Sequence, residues 1–268
     1  MGHTIFRVTQ ILLNGHPTWA LIPKKKGKTV LFLHGGLSSS ESLLRVLGPR
    51  LSKRFALAAF DRRGHGRSAD TDLPFSYDTM ADETIAFLEL LGRRVYVVGH
   101  SCGANVAIMV ALRRPDLLKR VALVGANYHF QGLVSMPDFT PLSPGFSEFA
   151  TEYAQRSPHG IEHASAVVEK SLALVKTQPT LTLEDLATIS VPVLVMSGDD
   201  DVSKLSHTIE MYEAIPEAQL AILPGTSHSV LKERTKESGE IIERFFRGPI
   251  PPRTKYPLRR APNKPGKS

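Results

Sequence analysis

The chain has 268 residues, 42% hydrophobic and 22% charged, which is the composition of a globular protein with a sizeable core. Its net charge of +7 invites a nucleic-acid partner, but Arg253, Lys255, Arg259, Arg260, Lys264 and Lys267 crowd the end of the chain with no acid among them, so the body is close to neutral and no nucleic-acid surface is expected. No apolar run has the length of a membrane span, and the single cysteine, Cys102, excludes an intrachain disulfide and suits a reducing cytoplasm.

Ile5 to Leu13 and Pro17 to Ile22 are rich in β-branched and aliphatic residues, and Asn14-Gly15 between them is a strong hairpin signal. A basic surface loop, 23–28, precedes a buried strand over Thr29 to Leu33, which ends in His34-Gly35-Gly36-Leu37. Ser38, Ser39 and Ser40 offer N-caps to a helix over Glu41 to Leu51, and Phe55 to Phe60 is the next strand. It runs into Asp61-Arg62-Arg63-Gly64-His65-Gly66-Arg67-Ser68, a turn expected to pack its aspartate and arginine against neighbouring loops. The apolar spacing of Ile85, Leu88 and Leu91 predicts a helix over Tyr77 to Leu91.

Val95 to Val98 then reads as a buried parallel strand, Gly99-His100-Ser101-Cys102-Gly103 as a sharp turn, and Ala104 to Leu112 as a helix with Val106, Met109 and Val110 facing inward. Glycines two before and two after Ser101 let strand and helix approach closely and hold the hydroxyl out at the end of the sheet. Val121 to Val124 is another strand. From residue 127 to 189 the pattern changes, broken by Pro137, Pro141, Pro144, Pro158 and Pro179 around short helices at Phe146 to Ala154 and Ile161 to Val175. His159, Glu162 and His163 satisfy the H-x-x-E-H spacing of a zinc site, but Pro158 and Gly160 suit a helix start and no third ligand is evident, so no metal is expected. Val191 to Met196 resumes the parallel pattern before Ser197-Gly198-Asp199-Asp200-Asp201. Ala218 to Leu223 is the last strand, Pro224-Gly225-Thr226-Ser227-His228 follows it, and a final helix over Val230 to Phe246 closes the body. The tail, 248–268, combines six prolines with its cations and has the composition of a disordered segment.

Five of these stretches, in this order, resemble the α/β-hydrolase family: the His34-Gly35 loop, the D-x-R-G-x-G-x-S turn, the G-x-S-x-G elbow, the acid loop and the P-G-x-x-H loop. The resemblance implies a doubly wound, mostly parallel eight-stranded sheet, with 1–126 and 190–247 forming the core and 127–189 a helical lid inserted after the sixth strand. It implies Ser101 as nucleophile, His228 as base and Asp201 as the acid that orients it, with Asp199 and Asp200 as neighbouring alternatives. The backbone N-H groups of Gly36 and Cys102 would form the oxyanion hole, with Leu37 in reserve for Gly36. Leu37, His100, Phe130, Phe139 and Phe146 are candidates for substrate contact; Leu133, Met136, Phe149 and Tyr153 extend the apolar set, which could equally be the lid's own core.

No cofactor is required by such a site. An apolar small-molecule acyl substrate cleaved by a serine esterase, thioesterase or lactonase is the leading expectation. A carbon-carbon bond hydrolase or cofactor-free haloperoxidase would use the same three residues, and a weakly catalytic ligand-binding receptor is the alternative of another class. Serine at 101 argues against epoxide hydrolases and haloalkane dehalogenases, which carry aspartate there. Cys102 departs from the bulkier residue common after the nucleophile.

Overall fold

Thr29 to Leu33 is apolar without alternation because its strand is covered on both sides. In a computed structural model, which describes residues 6–24, 27–135, 139–216, 218–250 and 255, this strand lies inside an eight-stranded sheet. The strands are β1 (Phe6–Leu13), β2 (His16–Pro23), β3 (Thr29–Leu33), β4 (Ala56–Phe60), β5 (Val95–His100), β6 (Leu118–Val124), β7 (Val193–Asp200) and β8 (Ala218–Ser227). Their spatial order is β1-β2-β4-β3-β5-β6-β7-β8; β2 runs antiparallel to β1 and β4, and every other neighbouring pair is parallel.

Helices follow the strands in the expected alternation: α1 (Ser40–Leu51), α2 (Tyr77–Leu91), α3 (Cys102–Arg113), then α4 (Phe146–Ala154), α5 (Ala164–Thr177) and α6 (Leu183–Ala187) between β6 and β7. The last are α7 (Leu205–Ala214), α8 (Val230–Glu233) and α9 (Thr235–Arg247). Successive side chains of β3 point to opposite faces. Val30 and Phe32 pack with Leu43 and Leu47 of α1 and Phe246 of α9, while Leu31 and Leu33 pack with Phe87 of α2 and Val106 of α3. From β3 the chain steps to β4 on one side and returns through α2 to β5 on the other. The loops leaving β3 and β5 therefore part, one toward α1 and one toward α3, and open a crevice at the carboxyl ends of the two strands.

Two local expectations are corrected. Ser39 occupies the N-cap of α1 but its hydroxyl makes no capping bond. The buried Asp61 carboxylate reaches across from the end of β4 instead, and its Oδ1 accepts the Ser40 N-H (2.8 Å) and hydroxyl (2.6 Å), placing an anion at the positive end of the helix. The single closing helix expected over Val230 to Phe246 is broken at Arg234 (φ −128°, ψ 50°) into α8 and α9. The hydroxyl of Thr235 donates back to the Leu231 carbonyl and that of Ser238 to the Arg234 carbonyl, a pattern that bends helices. The Glu233 carboxylate is meanwhile tied to the N-H and hydroxyl of Ser227.

Among the described residues no helix is long and apolar enough to cross a membrane. Ile5, Lys25, Lys26, Met136, Pro137 and nearly all of the tail lie outside the described residues.

Candidate active site

At the end of β5 the backbone turns sharply through Ser101, which holds φ 53° and ψ −126° before α3 begins at Cys102. Such a conformation costs a side-chain-bearing residue on the order of 1–3 kcal/mol and persists only where its surroundings impose it. Here the Ser101 N-H donates to the Val124 carbonyl (2.8 Å), and its carbonyl accepts from Ala104 (2.7 Å) and Asn105 (3.1 Å). A Cβ on Gly103 would stand 2.1 Å from the Leu33 carbonyl oxygen, so only glycine lets α3 pass this close to β3. Cys102 opens α3, so its N-H has no carbonyl acceptor within the helix.

The loop after β3 lies against the same turn. A Cβ on Gly35 would be 3.3 Å from the Ser101 Cβ, and one on Gly36 would be 3.2 Å from Cys102 Sγ; Leu37 beside them has φ 50°. Arg62, wholly buried, clamps this loop from below: its guanidinium donates to the Gly35 carbonyl (2.9 Å) and to the His34 carbonyl, and its N-H donates to His34 Nε2 (3.1 Å). Burial, with the Arg62 and His65 charges added to it, holds His34 well below the usual histidine range, so its ring is a neutral strut. His65 is buried too, and burial followed by the Arg62 charge brings it down to about 4.

The strand register brings the remaining two groups together. Asp200, the last residue of β7, pairs with Ser227, the last of β8, so Asp201 and His228 just beyond the two strands are neighbours. His228 Nδ1 and Asp201 Oδ1 are 2.7 Å apart. Asp201 Oδ1 also accepts the Ser203 N-H (3.1 Å), and Oδ2 accepts the Ser197 hydroxyl (2.9 Å). Burial opposes ionisation of this carboxyl, but His228, Ser203 and Ser197 outweigh it and hold it below the usual carboxylate range. The neighbouring Asp199 turns away to the Thr226 N-H (3.1 Å), and Asp200 is exposed.

Ser101 and His228 line one cavity of about 230 Å³ together with Gly36, Leu37 and His100. His100 Nε2 lies 3.0 Å from the His228 carbonyl oxygen, to which it can donate, and the two rings are 5.0 Å apart. Burial, and then the nearby His228, push His100 down to about 4.

Three aromatic candidates stand elsewhere. Phe139 and Phe146 pack with Phe149 and Tyr153 at ring separations of 5.7–6.3 Å, and Phe130 stacks on His129 at 4.6 Å. The rings cover one another, and the apolar walls of the Ser101 cavity are Leu37 of the loop after β3, Leu43 and Val46 of α1 and Leu231 of α8 instead. Phe149 and Tyr153 face an adjoining hollow between α1 and α4. His159 and His163 both clasp Asp70: His159 Nε2 accepts the Asp70 N-H (2.9 Å), and His163 Nε2 lies 2.8 Å from the carboxylate. Among the described residues no group of three or more His, Cys, Asp or Glu is arranged to hold a metal ion.

Several contributors escaped the sequence analysis. Gly125 at the end of β6 has φ 59°, and a Cβ on it would be 2.9 Å from both Nδ1 and Cε1 of His228. Ser197 and Ser203 fix Asp201, and Arg45, Glu152 and Lys232 stand at the cavity wall. Only the glycine after an apolar strand carried a sequence signal, and it is an unspecific one.

The sequence profile of the α/β hydrolase family matches residues 30–238. The carbamate hydrolase RutD assigned in Caulobacter sp. (strain K31) is 28% identical over 250 residues, covering 84% of this chain and 93% of its own. A non-heme haloperoxidase of Rhodococcus erythropolis is 27% identical over 237 residues, covering 76% and 86%. Among solved structures, the enol-lactonase of Burkholderia xenovorans LB400 superposes with a TM-score of 0.71 at 19% identity, covering 88% of this chain and 99% of its own.

Proposed function

Since the chain belongs to the α/β-hydrolase family, we propose that it is a serine hydrolase cleaving a small-molecule carboxylic ester, thioester or lactone through an acyl-enzyme. The observation that carries this is the buried Asp201 carboxylate held 2.7 Å from His228 on the wall of the cavity that Ser101 enters. A serine hydroxyl alone is a poor nucleophile near neutral pH and needs a base beside it and an acid to set the base's tautomer. With Nδ1-H donated to Asp201, His228 offers Nε2 as the acceptor. Ser101 Oγ attacks the acyl carbon while its proton passes to Nε2, and Asp201 stabilises the imidazolium. The Gly36 and Cys102 N-H groups hold the oxyanion, each contributing about a hundredfold or more in rate. The imidazolium protonates the leaving alcohol or thiol, and water activated by the same Nε2 then releases the acid.

Residues 127–189 act as the lid, with α4 bringing Glu152 to the cavity wall. The acyl chain lies along Leu37, Leu43, Val46 and Leu231. The likeness to a haloperoxidase supports a second reading, in which hydrogen peroxide replaces water at the acyl carbon and the product is a peracid. The unpaired cysteine supports a reducing cytoplasm as the compartment.

The test is hydrolysis of p-nitrophenyl esters of increasing acyl length by wild type and Ser101→Ala, alongside labelling by a fluorophosphonate. Turnover should fall about a thousandfold or more and labelling should vanish in the variant. Labelling that survives Ser101→Ala would place the nucleophile elsewhere and overturn the proposal.

A further inference from the structure

The cavity that holds Ser101 and His228 has an uneven charge. Arg45 of α1 and Lys232 of α8 stand on its wall, and among the described residues neither side chain has an acidic or hydrogen-bonding partner. Other arginines are engaged: Arg50, Arg54, Arg63, Arg67, Arg113, Arg114 and Arg156 lie within ion-pair distance of a carboxylate, and Arg62, Arg94 and Arg120 donate to backbone carbonyls. One acid, Glu152 of α4, shares the wall, but Arg156 lies beside it, donating to its backbone carbonyl and to the Glu41 carboxylate (3.0 Å). The charge of Glu152 in turn helps hold Arg156 protonated, after the hydrogen bond and charge of Glu41. Glu152 offsets one of the two cations, so Arg45 and Lys232 leave a net positive charge on the wall of a cavity whose apolar lining is Leu37, Leu43, Val46 and Leu231. The Lys232 charge is felt inside the site, where it adds to the burial and the His228 charge that depress His100.

Resting on the serine-hydrolase reading above, we propose that the natural substrate is an acyl compound bearing a carboxylate, its chain on the apolar walls and its charged end held between Arg45 and Lys232. An apolar floor with cations at the rim selects a molecule that is apolar where it reacts and anionic at its far end. An uncharged acyl chain would leave the two cations unused. Both side chains are exposed, so each contact is screened and modest, and the selectivity comes from the pair acting together.

The experiment compares p-nitrophenyl monoesters of glutaric, adipic and suberic acid with the same compounds capped as methyl esters. For at least one chain length wild type should favour the free carboxylate in kcat/KM by about five- to tenfold at low salt, and the ratio should shrink as salt is raised. The double variant Arg45→Gln/Lys232→Gln should bring the ratio close to one, while Lys53→Gln, a cation away from this cavity, should leave it as it is. A second readout needs no turnover: Ser101→Ala protein should bind the uncapped ester more tightly than the capped one by calorimetry. A wild-type enzyme that turns over both esters equally, or a ratio that survives the double variant, would overturn the carboxylate subsite and leave the serine hydrolase standing. Preferential binding to Ser101→Ala without any wild-type turnover would support the subsite and count against the hydrolase.

Discussion

Gly125 offers the sharpest test of where the base sits. Replacing it with alanine puts a methyl 2.9 Å from Nδ1 and Cε1 of His228 and 3.4 Å from Asp201 Oδ2, on a backbone with φ 59°. Ordinary carbon contacts begin near 3.5 Å, so the ring must retreat by roughly half an ångström. It has little freedom to do so, because Nδ1 is tied at 2.7 Å to a carboxylate that is itself fixed by Ser197 and Ser203. A misplacement of about 1 Å at a reacting group costs about a hundredfold, so half of that predicts a fall in kcat of about tenfold. The left-handed backbone adds a stability cost of about 1–2 kcal/mol. Gly225→Ala is the matched control: its φ is 61°, but the nearest atom to the new methyl is an Arg234 nitrogen at 3.9 Å. Both variants should lose a few degrees of Tm, and only Gly125→Ala should lose kcat on a p-nitrophenyl ester. Equal kcat in the two would refute the assignment of His228 as the base in this position.

Two further outcomes follow from buried charge. Asp70, with its side chain 1% exposed, holds His163 and Lys170 of the 127–189 segment at 2.8 Å each, so Asp70→Asn strands a largely buried ammonium and should cost about 3–5 kcal/mol. Hydrogen exchange should rise across residues 159–170 well before the sheet opens, and unchanged protection there would show that Asp70 does not fasten the segment. Acid stability should be governed by histidines that fold in the neutral state. His65, His100 and His207 are brought down to about 4 and His34 further, in each case mainly by burial. An unfolded histidine titrates near 6.5, so between about pH 6.5 and 4 the unfolded chain binds more protons and stability falls as pH drops; it falls further below that window, where His34 stays neutral in the folded chain and Asp70 and Asp201 take up protons first in the unfolded one. Urea unfolding near pH 5 should take up about three to four protons, read from the slope of stability against pH; a flat profile from pH 7 to 4.5 would contradict the burial of these rings.

What was legible in the sequence was what depends on neighbours along the chain. The bounds of α2 follow from its own periodicity and from Gly92, which ends it in the left-handed conformation. The turn through Ser101 announces itself because the glycines that relieve its clashes lie two residues to either side. The fold could be read for the same reason, since each βα unit carries its own signal and the order of the motifs does the rest. What could not be read was set across the chain. The cap on α1 comes from Asp61, more than twenty positions away, and nothing in Ser38-Ser39-Ser40 announces that the Ser39 hydroxyl at the N-cap would be passed over. The aromatic residues of 127–189 had the right character for a pocket, but residue type cannot distinguish a ring that meets substrate from one that meets another ring.

The same contrast explains the choice among the three aspartates. The family resemblance favoured Asp201 without separating it from Asp199 and Asp200, because a run of acids is degenerate to any local rule. The sheet removes the degeneracy. Pairing Asp200 with Ser227 is the register that remains after an irregularity between Gly198 and Asp200, and it sends Asp199 outward to Thr226 while Asp201, just past the strand, meets His228. A slip of one residue at this irregularity would bring Asp200 to His228 in place of Asp201. Which aspartate meets His228 is thus a property of strand pairing, and the glycine at the end of β6 belongs to the same arrangement, because it leaves the space into which the aligned His228 fits.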